Sequence, residues 1–563
     1  MFIVILIQFY AYICIISSKK YVMTKNGPVS GIKYKLHNSI VNEYLGIPFA
    51  QPPINELRFK SPKPLNEPAW KEIFHAHKPA KACIQAKDKK GFEGVYYNIP
   101  EEEQSEDCLQ LNMWVPDRPN GAVLVFIFGG GLRFGSASLD IYNGSIIAAK
   151  TRTIVVNLNY RLGIFGFSYM CCGNDVQGNM GLLDQQMGMR WVYRNIKKFG
   201  GNPSKITLWG SGAGSASVTA HLLAHDSYKY FRRIIATSGV ITNIWARQYS
   251  NRVDETLRFI SLKYKCFGKH HFIYECIKKL NTSELANLND EFSHILNIPY
   301  AYGFNIVDND DVFFKKNIYD KLKSRDIKHD VDILIGRANN EGSYFLPTLL
   351  SHEKFGCNTK DSILMKYNDQ TCKMNKENLF DLMKSLSYTL RINSTGLEYI
   401  KKYYFKNKIR NNRFQACEML SNIAFDCDII KFARKCAFNT DGYLFSYIFN
   451  VDKSAYKWPK WMGTVHGAEL EYAFGLPFRK PELYNKKSLI KQLQFSKKFM
   501  KMIGDFAKSG NPRFGWPKFD PYNIKSAKLD FSIISRRNVK RVHHTIMKKC
   551  KVIEDYTSKY VYY

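Results

Sequence analysis

Short apolar runs, each closed by glycine or a polar cluster, recur along the chain at 123–128 (Val-Leu-Val-Phe-Ile-Phe), 153–158, 206–209 and 331–335. Between them, as at 182–199, apolar residues return at three- and four-residue spacing, the period of a helix with one buried side. Strands alternating with helices predict an α/β fold: a large, mostly parallel central sheet flanked by helices on both faces. From about 250 to 330, and again from 351 to 439, the pattern becomes more helical and more charged. Those segments are expected to be excursions that cap the sheet. No Pro/Gly/Ser-rich linker marks a boundary, and 563 residues suit one large α/β unit with insertions.

The first eighteen residues are an apolar run ending in two serines. They read as a secretory signal peptide (1–18), leaving a single domain over 19–563. An uncleaved anchor is the alternative, because no positive charge precedes the run. No later stretch has the length of a transmembrane helix, so a secreted, extracellular protein without a transmembrane anchor is expected. Three sequons agree with that route and make Asn143, Asn281 and Asn393 glycosylation candidates. Removing Cys14 with the leader leaves twelve cysteines, an even number suited to disulfides in an oxidising compartment. No C-x2-C pair or Cys/His cluster suggests a metal, and no cofactor is expected.

The net charge of +33 is concentrated at the end: residues 479–563 hold 21 Lys/Arg against 6 Asp/Glu. Its densest part contains Arg536, Arg537, Lys540 and Arg541, candidates for binding a polyanion such as a sulfated glycan. The other reading is a solvated basic face. Nucleic acid is not an expected partner, since no recognition motif accompanies the charge.

Candidate chemistry begins at Gly210-Ser211-Gly212-Ala213-Gly214, directly after the apolar run at 206–209. In the G-x-S-x-G nucleophile elbow a strand turns sharply into a helix and holds a serine hydroxyl above the sheet. Here the central position is Gly212. Ser211 and Ser215 flank it, but a shift of one residue or more directs a side chain away from the apex. Gly129-Gly130-Gly131 follows the run at 123–128 and offers backbone N–H groups for an oxyanion hole together with Ala213. Glu341 follows the run at 331–335, and His466 sits in a glycine-flanked turn, giving the α/β-hydrolase order of nucleophile, acid, histidine.

These segments, together with Tyr44-Leu-Gly-Ile-Pro-Phe-Ala50, Ser105-Glu-Asp-Cys-Leu-Gln-Leu-Asn112 and His466-Gly-Ala-Glu-Leu-Glu-Tyr-Ala-Phe-Gly475, resemble the cholinesterase/type-B carboxylesterase family. The resemblance runs from about residue 20 to 550. It implies an α/β-hydrolase fold whose helical excursions form a gorge. It also implies a triad of position 212, Glu341 and His466, and an oxyanion hole of Gly130, Gly131 and Ala213. Three disulfides carry over, Cys83–Cys108, Cys266–Cys276 and Cys427–Cys550, as do the ion pairs Arg58–Glu106 and Arg161–Asp184. The partners of Cys171, Cys172, Cys357, Cys372, Cys417 and Cys436 stay open.

The departures bear on function. The family elbow is typically G-E-S-A-G, whereas G-S-G-A-G resembles the elbow of the neuroligins, adhesion proteins of the same family. The choline-binding tryptophan falls near Asn98 and is absent, and Leu132-Arg133 follows the glycines where the choline enzymes carry aromatics. Asp88 and Tyr344 retain gorge-type residues. Losing the nucleophile removes roughly six orders of magnitude of turnover in a triad enzyme. The expectation is a secreted cholinesterase-like pseudoenzyme that binds a protein, an anionic glycan or a small ligand, with a homodimer as a further assembly. The alternative is an active carboxylic-ester hydrolase with an atypical nucleophile.

Overall fold

The computed structural model describes residues 21–36, 39–86, 100–171, 175–288, 303–349, 355–357, 372–390, 392–405, 411–452, 455–456, 458–543 and 550–551. The segment 1–18 expected as a signal peptide, Asp88, Asn98 and Cys172 lie outside them.

Among the described residues the main sheet has eleven strands. In chain order they are β1 (Ile32–Leu36), β2 (Ser39–Pro48), β3 (Gln110–Pro116), β4 (Val123–Ile127), β5 (Ile154–Leu158) and β6 (Ile206–Ser211). They continue with β7 (Arg233–Thr237), β8 (Asp332–Ala338), β9 (Leu444–Phe449), β10 (Lys525–Leu529) and β11 (Lys540–His543). The spatial order is β11-β10-β9-β8-β7-β6-β4-β5-β3-β2-β1. From β5 across to β10 every neighbouring pair is parallel. The β1–β2, β2–β3, β3–β5 and β10–β11 pairs are antiparallel. The expected parallel sheet is therefore the centre of a mixed one. β4, β5 and β8 are buried at every position, which explains their near-continuous apolar sequences.

Helices used below are α1 (Met180–Asn195), α2 (Ala213–His221), α3 (Ser250–Lys263), α4 (His270–Lys278), α5 (Glu341–Leu349), α6 (Ala468–Ala473) and α7 (Lys486–Ser509). The helix expected at 182–199 is α1 followed by one 3-10 turn, Ile196–Phe199, that ends at left-handed Gly200. Both excursions are mainly helical where described, the second including helices Asn412–Ser421 and Cys427–Asn439 joined by a π-turn at Asn422–Asp426. The first also carries a short strand, Ile306–Val307, paired with Arg247–Gln248.

The chain enters at β4, steps outward to β5, then returns to place β6 on the other side of β4. Such a reversal of winding opens a crevice at the carboxyl ends of the strands. The register brings those ends level, with Gly210 opposite Ile127, Ser211 opposite Thr237, and Thr237 opposite Gly336. Below them Trp209 stacks on Phe474 at 4.7 Å and meets Phe126 edge-on at 4.9 Å. That aromatic stack gives the strand ends a rigid floor.

All three expected disulfides form, and Cys357–Cys372 is a fourth. Cys417 and Cys436 are buried thiols, each pushed up to about 12 by burial, and Cys171 is a half-buried thiol. Both expected ion pairs form as well. Arg58 Nε donates to Glu106 at 2.8 Å, and its Nη1 donates to the carbonyls of Lys278 and Leu280. Arg161 grips Asp184 through Nε and Nη2, each at 2.7 Å, and Asp184 is fully buried. A buried pair is costly to half-remove, because the surviving charge is left without its partner. Asp184→Ala should lower unfolding free energy by about 3–5 kcal/mol, read from a denaturant midpoint.

Candidate functional site

β6 ends at Ser211, α2 begins at Ala213, and Gly212 makes the whole turn between them at φ 57° and ψ −121°. This is the elbow expected from the sequence. The glycines around it are required by close approach. A Cβ on Gly214 would lie 2.0 Å from the Ile127 carbonyl oxygen, and one on Gly210 would lie 2.2 Å from that of Gly214. The helix start is thus pressed directly onto β4.

A Cβ on Gly212 would lie 2.7 Å from His466 Nε2. The imidazole occupies the space into which a side chain at the apex would project. On its other side His466 Nδ1 is 2.6 Å from Glu341 Oε2, and Glu341 Oε1 accepts the Ala338 N–H at 2.7 Å. Glu341 is fully buried, whereas the His466 side chain keeps 18% of its surface exposed. The acid–histidine pair expected from the sequence is therefore assembled, and its free ring nitrogen faces Gly212. Phe345 and Phe425 pack against the imidazole at 5.1 and 5.2 Å, with Tyr344 at 5.9 Å and Trp458 beside Tyr344 at 5.7 Å. Asn340 joins the two loops, its N–H donating to Thr464 O and its Oδ1 accepting from Thr464 N–H.

The serines beside the apex turn inward. Ser211 donates to Glu469 Oε1 at 3.0 Å, and Ser215 donates to the Gly239 carbonyl at 2.5 Å. Gly130 and Gly131, the other oxyanion candidates, have φ of 94° and 62° and form a turn in which Gly130 O accepts from Arg133 and Phe134 N–H. Ala213 is the first residue of α2, where a helix has no internal partner for its N–H. Arg133 lies alongside: a Cβ on Gly131 would be 3.9 Å from its Nε.

Two participants were not singled out by the sequence. Phe425 arrives from the π-turn in the second helical excursion, a local irregularity that apolar spacing does not reveal. Glu469, three residues after His466, is buried on α6, and its Oε2 has no hydrogen-bond partner among the described residues. Burial, with the negative charge of Glu341 adding to it, raises Glu469 to about 7.

Outside the elbow, Arg536, Arg537, Lys540 and Arg541 are all exposed on β11 and the loop before it. Lys498 of α7 donates to the Arg536 carbonyl, bringing that helix's basic face alongside. Of the sequon asparagines, Asn281 and Asn393 are exposed. Asn143 is half-buried, with its Oδ1 accepting the Ser145 N–H at 3.0 Å. Among the described residues no helix is long and apolar enough to cross a membrane.

An elbow, an acid–histidine pair and a glycine turn at the winding reversal define an α/β-hydrolase site. The chain belongs to the carboxylesterase family, whose profile matches residues 18–551. It is 34% identical over 537 residues to "Acetylcholinesterase 4" of Caenorhabditis briggsae, covering 89% of this chain and 84% of that protein. It is 33% identical over 528 residues to "Cholinesterase" of Mus musculus, covering 90% and 83%. "Acetylcholinesterase" of Danio rerio is 32% identical over 561 residues, covering 90% and 84%.

The raised Glu469 gives the site a pH signature. Below about 4.5 the group is protonated folded or unfolded; between about 4.5 and 7 only the folded chain keeps the proton. Its contribution to stability therefore falls as pH rises through that window. Relative to Glu469→Gln, the wild-type Tm should decline from pH 4.5 to 7 and then level off, as scanning calorimetry across pH would record.

Proposed function

We propose that this chain is a secreted, non-catalytic member of the carboxylesterase family that works by binding. The observation that carries the reading is the apex of the elbow. Gly212 supplies no nucleophile, and His466 Nε2 stands where its side chain would begin. Neither neighbouring serine can stand in, because both hydroxyls are engaged in the interior. The retained Glu341–His466 bond has a structural reason to persist, since it ties the loop after β8 to the turn before α6. Oxyanion donors without a nucleophile leave about 10³–10⁴ over the rate in water, too little for a working esterase.

The second reading is a hydrolase with an atypical nucleophile, favoured by the assembled Glu341–His466 pair and by the Gly130, Gly131 and Ala213 amides. In neither reading is choline the proposed ligand, since Arg133 stands beside the glycine turn, its Nε 3.9 Å from where a Cβ on Gly131 would lie.

The partner we propose is an extracellular protein or an anionic glycan. The glycan's place would be the exposed Arg536, Arg537, Lys540 and Arg541, widened by the lysines of α7. Four disulfides and exposed sequons at Asn281 and Asn393 support passage through the secretory route.

Aryl-ester assays separate the readings. Wild type and His466→Ala should be equally inert; saturable hydrolysis abolished by His466→Ala would refute the non-catalytic reading. Gly212→Ser should acquire slow turnover that His466→Ala removes, provided the imidazole withdraws by under an ångström to admit the new side chain. On immobilised heparin, neutralising Arg536, Arg537, Lys540 and Arg541 together should lower the salt needed for elution. Unchanged elution would place the glycan elsewhere.

A further inference from the structure

The turn between α3 and α4 carries apolar surface that neither the core nor the candidate site uses. α3 buries Val253, Leu257 and Ile260, and α4 buries Ile273 and Ile277, so the inner faces are accounted for. The outer face holds Leu262 at 59% exposure, Phe267 at 63% and Phe272 at 63%, with Phe259 at 51%. Large rings exposed to this extent on one short segment form an interaction surface more often than chance decoration.

The turn is held firmly. Lys265 N–H bonds to Leu262 O, Cys266 N–H to Ser261 O, and Phe272 N–H to Lys269 O. Gly268, at φ 116°, makes the sharp reversal, and the Cys266–Cys276 disulfide fastens the turn to α4. The rings are thus presented without the ordering cost that a loose loop would incur on binding.

Within the segment itself the charge has one sign. From Arg258 to Phe272 the sequence has no acidic residue, and Lys263, Lys265, Lys269 and His271 are exposed among the apolar side chains. Carboxylates beside it are engaged: Asp254 with Arg258, Asp175 with Lys60 and His271, and Glu275 with Lys278.

We propose that this stapled turn docks on an anionic phospholipid bilayer. Leu262, Phe267 and Phe272 enter the boundary between headgroups and acyl chains, while Lys265 and Lys269 meet the lipid phosphates and carboxylates. Exposed aromatic side chains ringed by lysine are the chemistry of interfacial membrane binding, and the all-basic rim selects anionic over zwitterionic lipid. The proposal is independent of whether position 212 supports catalysis.

The test is co-sedimentation of the full chain with vesicles of phosphatidylcholine, alone or mixed with phosphatidylserine. Wild type should bind the mixed vesicles and leave pure phosphatidylcholine unbound. The double variant Phe267→Ser/Phe272→Ser, whose side chains are outside the core, should keep the wild-type Tm and lose roughly tenfold in partitioning per ring. Lys265→Glu/Lys269→Glu should lose binding that low salt partly restores. A Phe267→Trp reporter should shift its emission to the blue on mixed vesicles, also when Arg536→Glu/Arg537→Glu removes the other basic surface. Absence of vesicle binding, undiminished binding by the double serine variant, or an unshifted reporter would each overturn the proposal. The last two would assign lipid attraction to the carboxy-terminal basic face and leave the turn to a protein partner.

Discussion

The close approach of α2 to the ends of β4 and β6 is the constraint on which the rest of the site depends. Gly214 admits the Ile127 carbonyl where a side chain would collide, and Gly210 admits Gly214 in the same way. With those contacts made, the chain must reverse in a single residue, which Gly212 does at positive φ. The register of β6 with β7, and of β7 with β8, then places Glu341 at the same level of the sheet. His466 is held between Glu341 and the apex. These relations are geometric, and none requires a hydroxyl at position 212. The frame of a hydrolase can therefore outlast its reaction, because the glycines that shape the elbow also pack the helix on the sheet.

Glycine at position 212 sets the local balance of space and charge. Nε2 of His466 lies in the room a side chain would take, within a wall of Phe345, Phe425 and Tyr344. Ser211 donates to Glu469, whose other oxygen is buried and without a hydrogen-bond partner among the described residues. A second buried carboxyl close to Glu341 is held largely protonated below neutrality, so the interior avoids two adjacent negative charges. Arg133 lies beside the glycine turn, its Nε 3.9 Å from where a Cβ on Gly131 would stand.

Much of this was legible in the chain because the signals were local. The strands at 123–128, 153–158 and 206–209 announced themselves as short apolar runs, and the glycine spacing at 210–214 marked the elbow. The pairing of Cys83 with Cys108, or of Arg161 with Asp184, came from family resemblance, since spacing alone carries no such information. What stayed hidden was set by tertiary contact. The antiparallel flanks of the sheet depend on hairpin and edge pairing far from the alternating α/β pattern. Phe425 reaches His466 only through a π-turn, and the Cys357–Cys372 bond joins residues to which no family pairing applied. Glu469 was visible as a residue, but its raised affinity for a proton is a property of burial and of Glu341 beside it.

The central claim is that the apex offers no nucleophile, and the most direct measurement is covalent labelling of the wild-type chain by an organophosphorus ester, read by intact mass. The account predicts an unchanged mass after prolonged exposure. A stoichiometric phosphoryl adduct that disappears in His466→Ala would contradict it, because it would show a nucleophile activated by the histidine that Gly212 faces.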